Sequence, residues 1–118
     1  MLAIGAGVGF AQSAFAQPAG CTNNPTLASA DGNGLMHASS TAHCSSSLGR
    51  TLRVEIKHDE AITPDPLVAA NTSVSNGPSY GISVSSCDNG NTATYYGRGF
   101  FTSNSTYYDS SHQKWHVC

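Results

Sequence analysis

Charge is what this sequence has least of. Only 10% of its 118 residues are Asp, Glu, Lys or Arg, against ~25% in ordinary globular domains. Five basic residues stand against seven acidic ones, for a formal net charge of −2. Electrostatic capture of a nucleic acid needs a basic excess, so that class of partner is not expected. Helical patterning is the second absence: after residue 16 no ten-residue stretch repeats its apolar positions at helical spacing. Long apolar runs are the third. The longest, residues 1–10, is too short and too rich in glycine to cross a bilayer, so no transmembrane segment is expected. There is no CxxC pair.

What fills the chain instead is Ser, Thr, Asn and Gly, with five Tyr, four Phe and one Trp to pack. Low charge with that many rings excludes a solvated disordered tail. Residues 1–16, MLAIGAGVGFAQSAFA, read as a secretory signal peptide ending in the small-x-small triplet Ala14-Phe15-Ala16. Cleavage there starts the mature chain at Gln17. A leader should open with Lys or Arg, and none precedes Arg50, so Met1 reads as internal to a longer leader. Pro18-Ala19-Gly20-Cys21 is similar to the lipobox of bacterial lipoproteins, with Pro18 where an aliphatic residue belongs. Lipidation of Cys21 would leave three cysteines. The expected organisation is a leader over 1–16 and one domain over 17–118, secreted and extracellular.

Cys21, Cys44, Cys87 and Cys118 are dispersed and even in number. In an exported chain they read as two disulfides with three possible connectivities. Sequential pairing, Cys21–Cys44 with Cys87–Cys118, closes the shorter loops. Cys44–Cys87, which would link two sheets, is the rival.

Period-two alternation marks the strands. Leu52, Val54 and Ile56 alternate with Arg53, Glu55 and Lys57 over Thr51–His58. Tyr80, Ile82 and Val84 alternate up to Cys87, and Asn89-Gly90 then reads as a two-residue hairpin turn into Thr92–Thr102. Gly97 and Gly99 inside that strand predict a bulge or a close backbone approach. Weaker patterns predict strands over Thr26–Ala30, Leu35–Ala42 and Lys114–Cys118, and a short apolar run over Leu67–Ala70. Asn71-Thr72-Ser73 and Asn104-Ser105-Thr106 match the glycosylation sequon and read as loops. The expected fold is all-β, a small antiparallel sandwich or barrel of six to seven short strands with two disulfides.

Candidate chemistry is sparse. His112, His116 and Cys118 have ligand spacing only on a helix; on a strand the two imidazoles stand ~13 Å apart. No metal and no cofactor are expected. His58-Asp59-Glu60 reads as a solvated loop entrance rather than a cation site. Glu55 or Glu60 beside Asp65 are conceivable carboxylate pairs for glycoside hydrolysis. Glu60, Arg98 and His112 or His116 follow the chain order in which small secreted microbial ribonucleases use Glu, Arg and His. That resemblance implies Glu60 as base, His112 as acid and Arg98 as stabiliser of the phosphorane.

Tyr95-Tyr96-Gly97-Arg98-Gly99-Phe100-Phe101, with Tyr107-Tyr108 beyond, is the best candidate surface. Alternation sends half of these rings inward and puts Arg98 on one face with Tyr96 and Phe100. Tyr95 or Tyr96 (whichever faces out), Arg98, Tyr107 and Tyr108 are the expected binding residues. Taken together, the residues point to a secreted, non-enzymatic binding module, such as an antagonistic toxin or bacteriocin-like protein, that meets a protein or carbohydrate surface. The alternative is a small secreted hydrolase working through Glu60, Arg98 and His112.

Overall fold

Residues 36–44 show how the chain folds. Met36, Ala38, Ser40, Ala42 and Cys44 point one way and are buried, while His37, Ser39, Thr41 and His43 point to solvent. The same alternation builds nine strands in the computed structural model, which describes residues 20–45, 47, 49–103 and 106–118. The expected leader over 1–16, the Gln17 start, and Asn104-Ser105 of the second sequon lie outside the described residues. The strands are β1 (Cys21–Asn23), β2 (Leu27–Ala30), β3 (Met36–Cys44), β4 (Arg50–His58), β5 (Leu67–Ser75), β6 (Ser79–Ser86), β7 (Thr92–Phe101), β8 (Tyr108–Asp109) and β9 (Gln113–His116). The described residues contain no helix.

Two antiparallel sheets pack as a sandwich. In sheet I, β3 is flanked by β6 on one side and by β1 and β2 in line on the other. In sheet II the order is β5-β4-β7, with β8 and β9 in line along the far side of β7. Splitting those two outer positions takes the count past the expected six or seven. Pro25, between β1 and β2, cannot donate to a ladder and marks one of the breaks. The Asn71-Thr72-Ser73 sequon, expected in a loop, lies inside β5, which runs on well past Ala70.

The Asn89-Gly90 turn forms, but the hairpin expected around it does not. Asn89 and Gly90 both take positive φ, 54° and 72°, and the Asn91 N–H donates to the Asp88 carbonyl at 3.1 Å. The strands on either side then part, β6 to β3 and β7 to β4. The chain terminus inserts between them. The Asp88 N–H donates to the Cys118 carbonyl (2.9 Å), and the Val117 N–H to that of Asn91 (2.8 Å). A local turn signal specifies the turn, whereas pairing is decided by which partner buries each strand's apolar face.

The disulfides are Cys21–Cys44 and Cys87–Cys118, the sequential pairing. Cys21 and Cys44 sit directly opposite in the β1–β3 ladder. Cys87–Cys118 fastens the inserted terminus to the end of β6.

The core has two lobes. One holds Cys21, Ala42, Cys44, Leu52, Tyr80 and Phe101, the other Met36, Ala38, Val54, Ile56, Tyr95 and Val117. Between them the sheets meet over small residues. Gly97 and Gly99 of β7 face Thr26 and Ser40, both almost fully buried. A Cβ on Gly99 would sit 2.6 Å from Thr26 Oγ1 and 2.8 Å from Ser40 Cβ. The two glycines therefore serve close approach, not a bulge, since the β4–β7 register runs without a break.

Candidate binding site

The outward row of sheet II follows from its register. Leu52, Val54 and Ile56 face the core, so their neighbours Arg53, Glu55 and Lys57 face out. Opposite these three lie Phe100, Arg98 and Tyr96. Tyr95 is on the inward side and fully buried, so it offers no surface to a partner. Its hydroxyl donates to Asp88 at 2.6 Å, and its ring lies parallel to that of Trp115 at 6.2 Å.

Tyr96 faces outward yet is only 2% exposed. His112 covers it, stacked at 4.0 Å with the planes 2° apart. The β4–β5 loop reaches the same ring, with the Tyr96 hydroxyl donating to Asp65 Oδ2 at 2.5 Å. Burial, aided by that hydrogen bond, pushes the Tyr96 phenol well above its ordinary range. The same bond, with the Glu60 N–H on Oδ1 (2.8 Å), holds Asp65 below the usual carboxylate range. That lowering disfavours Asp65 as the proton donor of a carboxylate pair.

Arg98 forks onto one carboxylate, Nε to Asp109 Oδ1 at 2.8 Å and Nη2 to Oδ2 at 3.0 Å. Asp109 lies opposite Arg98 in the β7–β8 ladder, so the register itself supplies the partner. Arg98 Cζ stands 4.2 Å from the Tyr107 ring centroid and 5.6 Å from that of Tyr96. Tyr107 in turn meets Phe100 edge to face at 4.9 Å. Phe100, Tyr107, Arg98, Tyr96 and His112 therefore form one continuous stack across the outer face. Tyr107, between Phe100 and Arg98, is 47% exposed. Tyr108 is half-buried opposite Gly99 and stands on the inward side of β8.

The residues of the ribonuclease-like alternative gather in one region, but each has its own partner. Glu60 pairs with His58 at 3.2 Å, His112 Nδ1 with Asp59 at 2.8 Å, and Arg98 with Asp109. Glu55 is bound by Arg53 at 2.8 Å. His116 is removed from the region, bonded to Thr92 Oγ1 at 2.7 Å, and Cys118 is in a disulfide. Among the described residues no three His, Cys, Asp or Glu side chains are placed to hold a metal. On sheet I, Ser85 Oγ, His37 and Asp31 line up at 2.7 and 3.3 Å. This is cross-strand pairing on a wet face, since Ser85 is opposite His37, and Thr92–His116 repeats it without a carboxylate.

Sequence reasoning did not find the roles of Asp59 and Asp65. For Asp65 the signal is the proline-bounded loop Pro64-Asp65-Pro66, a rigid setting for an acid, but nothing local says which ring it would meet. The chain matches no family model, no curated protein and no solved structure.

Proposed function

We propose that the protein is a secreted, non-enzymatic binding module that recognises carbohydrate through the outer face of sheet II. The observation that carries this reading is the Tyr107 ring, exposed on the outer face while held between Phe100 and Arg98. Arg98 sits against the ring and is itself fixed by both oxygens of Asp109, so little rotamer freedom is lost on binding. A guanidinium forked in this way is geometrically defined where a lysine would not be. A protein interface of standard size requires ~800 Å² per partner around an apolar centre. One ring flanked by hydrogen-bonding groups suits the apolar face of a sugar better. The disulfides agree with life in an oxidising compartment, and no helix among the described residues is long and apolar enough to cross a membrane.

An array of soluble polysaccharides tests the reading. Wild-type protein binds a subset, and Tyr107→Ala abolishes that binding while leaving the far-ultraviolet spectrum unchanged. Binding that survives Tyr107→Ala, or a wild-type chain that captures a protein and no glycan, overturns it.

A further inference from the structure

The two sides of the sandwich are finished differently. On one, the outermost strands are broken into pieces: β1 and β2 (3 and 4 residues) along β3, and β8 and β9 (2 and 4 residues) along β7. Short, interrupted edges are a standard way to prevent strand addition. On the other side the outermost strands are β5 and β6, of 9 and 8 residues, without one charged residue or proline between them. The Ser83 carbonyl of β6 accepts the Asn71 side-chain amide at 3.0 Å, which covers part of that edge. On β5 such cover falls at the strand's end, where the Ser75 carbonyl accepts the Tyr80 hydroxyl at 2.9 Å, beyond the Leu67–Val74 span. Among the described residues β5 pairs only with β4, and Leu67 and Val74 on its outward face are 50% and 76% exposed. Such an edge is a template for another strand.

We propose that β5 pairs antiparallel with β5 of a second copy of this chain, across a two-fold axis centred on Asn71. The register of β5 on β4 points to a second copy as the occupant. Counting outward from Val54↔Asn71, the slots hold Thr72, Ser73 and Val74 on one side and Ala70, Ala69 and Leu67 on the other. The last step skips Val68, because the register shifts between Ile56 and Lys57. A two-fold axis through Asn71 exchanges equal slots, so Val74 of each chain meets Leu67 of the other. Without the bulge, Val68 and not Leu67 would take that slot. The two exposed apolar side chains of β5 thus cover one another twice in a single symmetric contact, as an isologous interface requires. Thr72 and Ala70 also exchange, which sets Arg53 of one chain and Glu55 of the other at the ends of one row. No like charges are opposed within β5.

The pairing extends sheet II across both copies with their outer faces on the same side. Five strand steps separate the two β7 strands, roughly 24 Å at ~4.8 Å per step. Two copies of the Tyr107 stack then face one surface, an arrangement that gains by avidity on a repeating ligand. The dimer itself does not depend on what that stack binds.

Sedimentation equilibrium over a concentration series tests the dimer, with Val74→Lys, Leu67→Glu and their mixture. Both positions are half or more exposed, so each variant folds, checked by thermal melting. The wild type is dimeric, and each single variant weakens association at least about tenfold, through two lost cross-strand contacts. Mixing V74K with L67E restores association, because the introduced lysine and glutamate then face each other across the axis. A wild type that stays monomeric at millimolar concentration overturns the proposal. So does a dimer indifferent to V74K, or two variants whose mixture stays monomeric.

Discussion

Replacing Gly99 by Ala adds one methyl group where the two sheets are closest. Its Cβ would lie 2.6 Å from Thr26 Oγ1 and 2.8 Å from Ser40 Cβ, well inside the 3.5–4.0 Å at which carbon atoms pack without repulsion. Thr26 can rotate its hydroxyl away. Ser40 Cβ moves only with the backbone of β3, the central strand of sheet I, so the strain has to be shared by two sheets. Overpacking of this kind costs ~1–3 kcal/mol, and here the upper half of that range is expected. At about 4–8 °C per kcal/mol for a domain of this size, the Tm should fall by roughly 8–24 °C. Gly97→Ala, whose nearest contacts are 3.0–3.3 Å from side-chain carbons, should lose less. Urea unfolding of Gly99→Ala, Ser40→Gly and the double variant gives the coupling. The second change should restore ~0.5 kcal/mol or more relative to additivity, since it removes the atom being struck. Wild-type stability in Gly99→Ala would refute the close approach of the sheets, and strict additivity would refute Ser40 as the obstacle.

Folded protein should present no free thiol to a labelling reagent, and replacing Cys87 and Cys118 by Ser should cost about 3–4 kcal/mol in the chain-entropy model. Labelling of two cysteines in native protein would contradict the pairing. Gly90→Val should destabilise by roughly 1 kcal/mol or more, because a β-branched residue resists the 72° φ found there; an unchanged urea midpoint would mean that the turn relaxes. Asp65 has its folded pKa lowered beneath the ordinary 3.8, so its contribution is present above that value and is lost as pH falls through the lowered one. Asp65→Asn should therefore flatten the loss of stability below about pH 4, and an acid limb as steep as wild type would remove Asp65 from the account.

Much of the fold was legible because alternation is a local signal. Leu52-Val54-Ile56 and Tyr80-Ile82-Val84 announce their buried faces without knowledge of any partner. The parity of Tyr96, Arg98 and Phe100 follows from the same rule and was correct. The pairing of β6 with β7 was not, since Asn89-Gly90 encodes a turn and not the destinations of the strands it joins. Depth was the other limit. Alternation says that Tyr96 faces away from the core, but its burial depends on His112 and Asp65, brought there by β9 and a proline-bounded loop. Those contacts span 16 and 31 residues of sequence. The proposed site accordingly shrinks from the five residues expected to Tyr107, with Arg98 and Phe100 against it.

Amide chemical-shift mapping during titration with a bound oligosaccharide tests that smaller site most directly. The shifts should cluster on Tyr107, Asp109, Arg98 and Phe100, with the hydroxyl-rich outer face of sheet I unmoved. Shifts centred on His37, Ser39 and Ser83, or none near Tyr107, would contradict it.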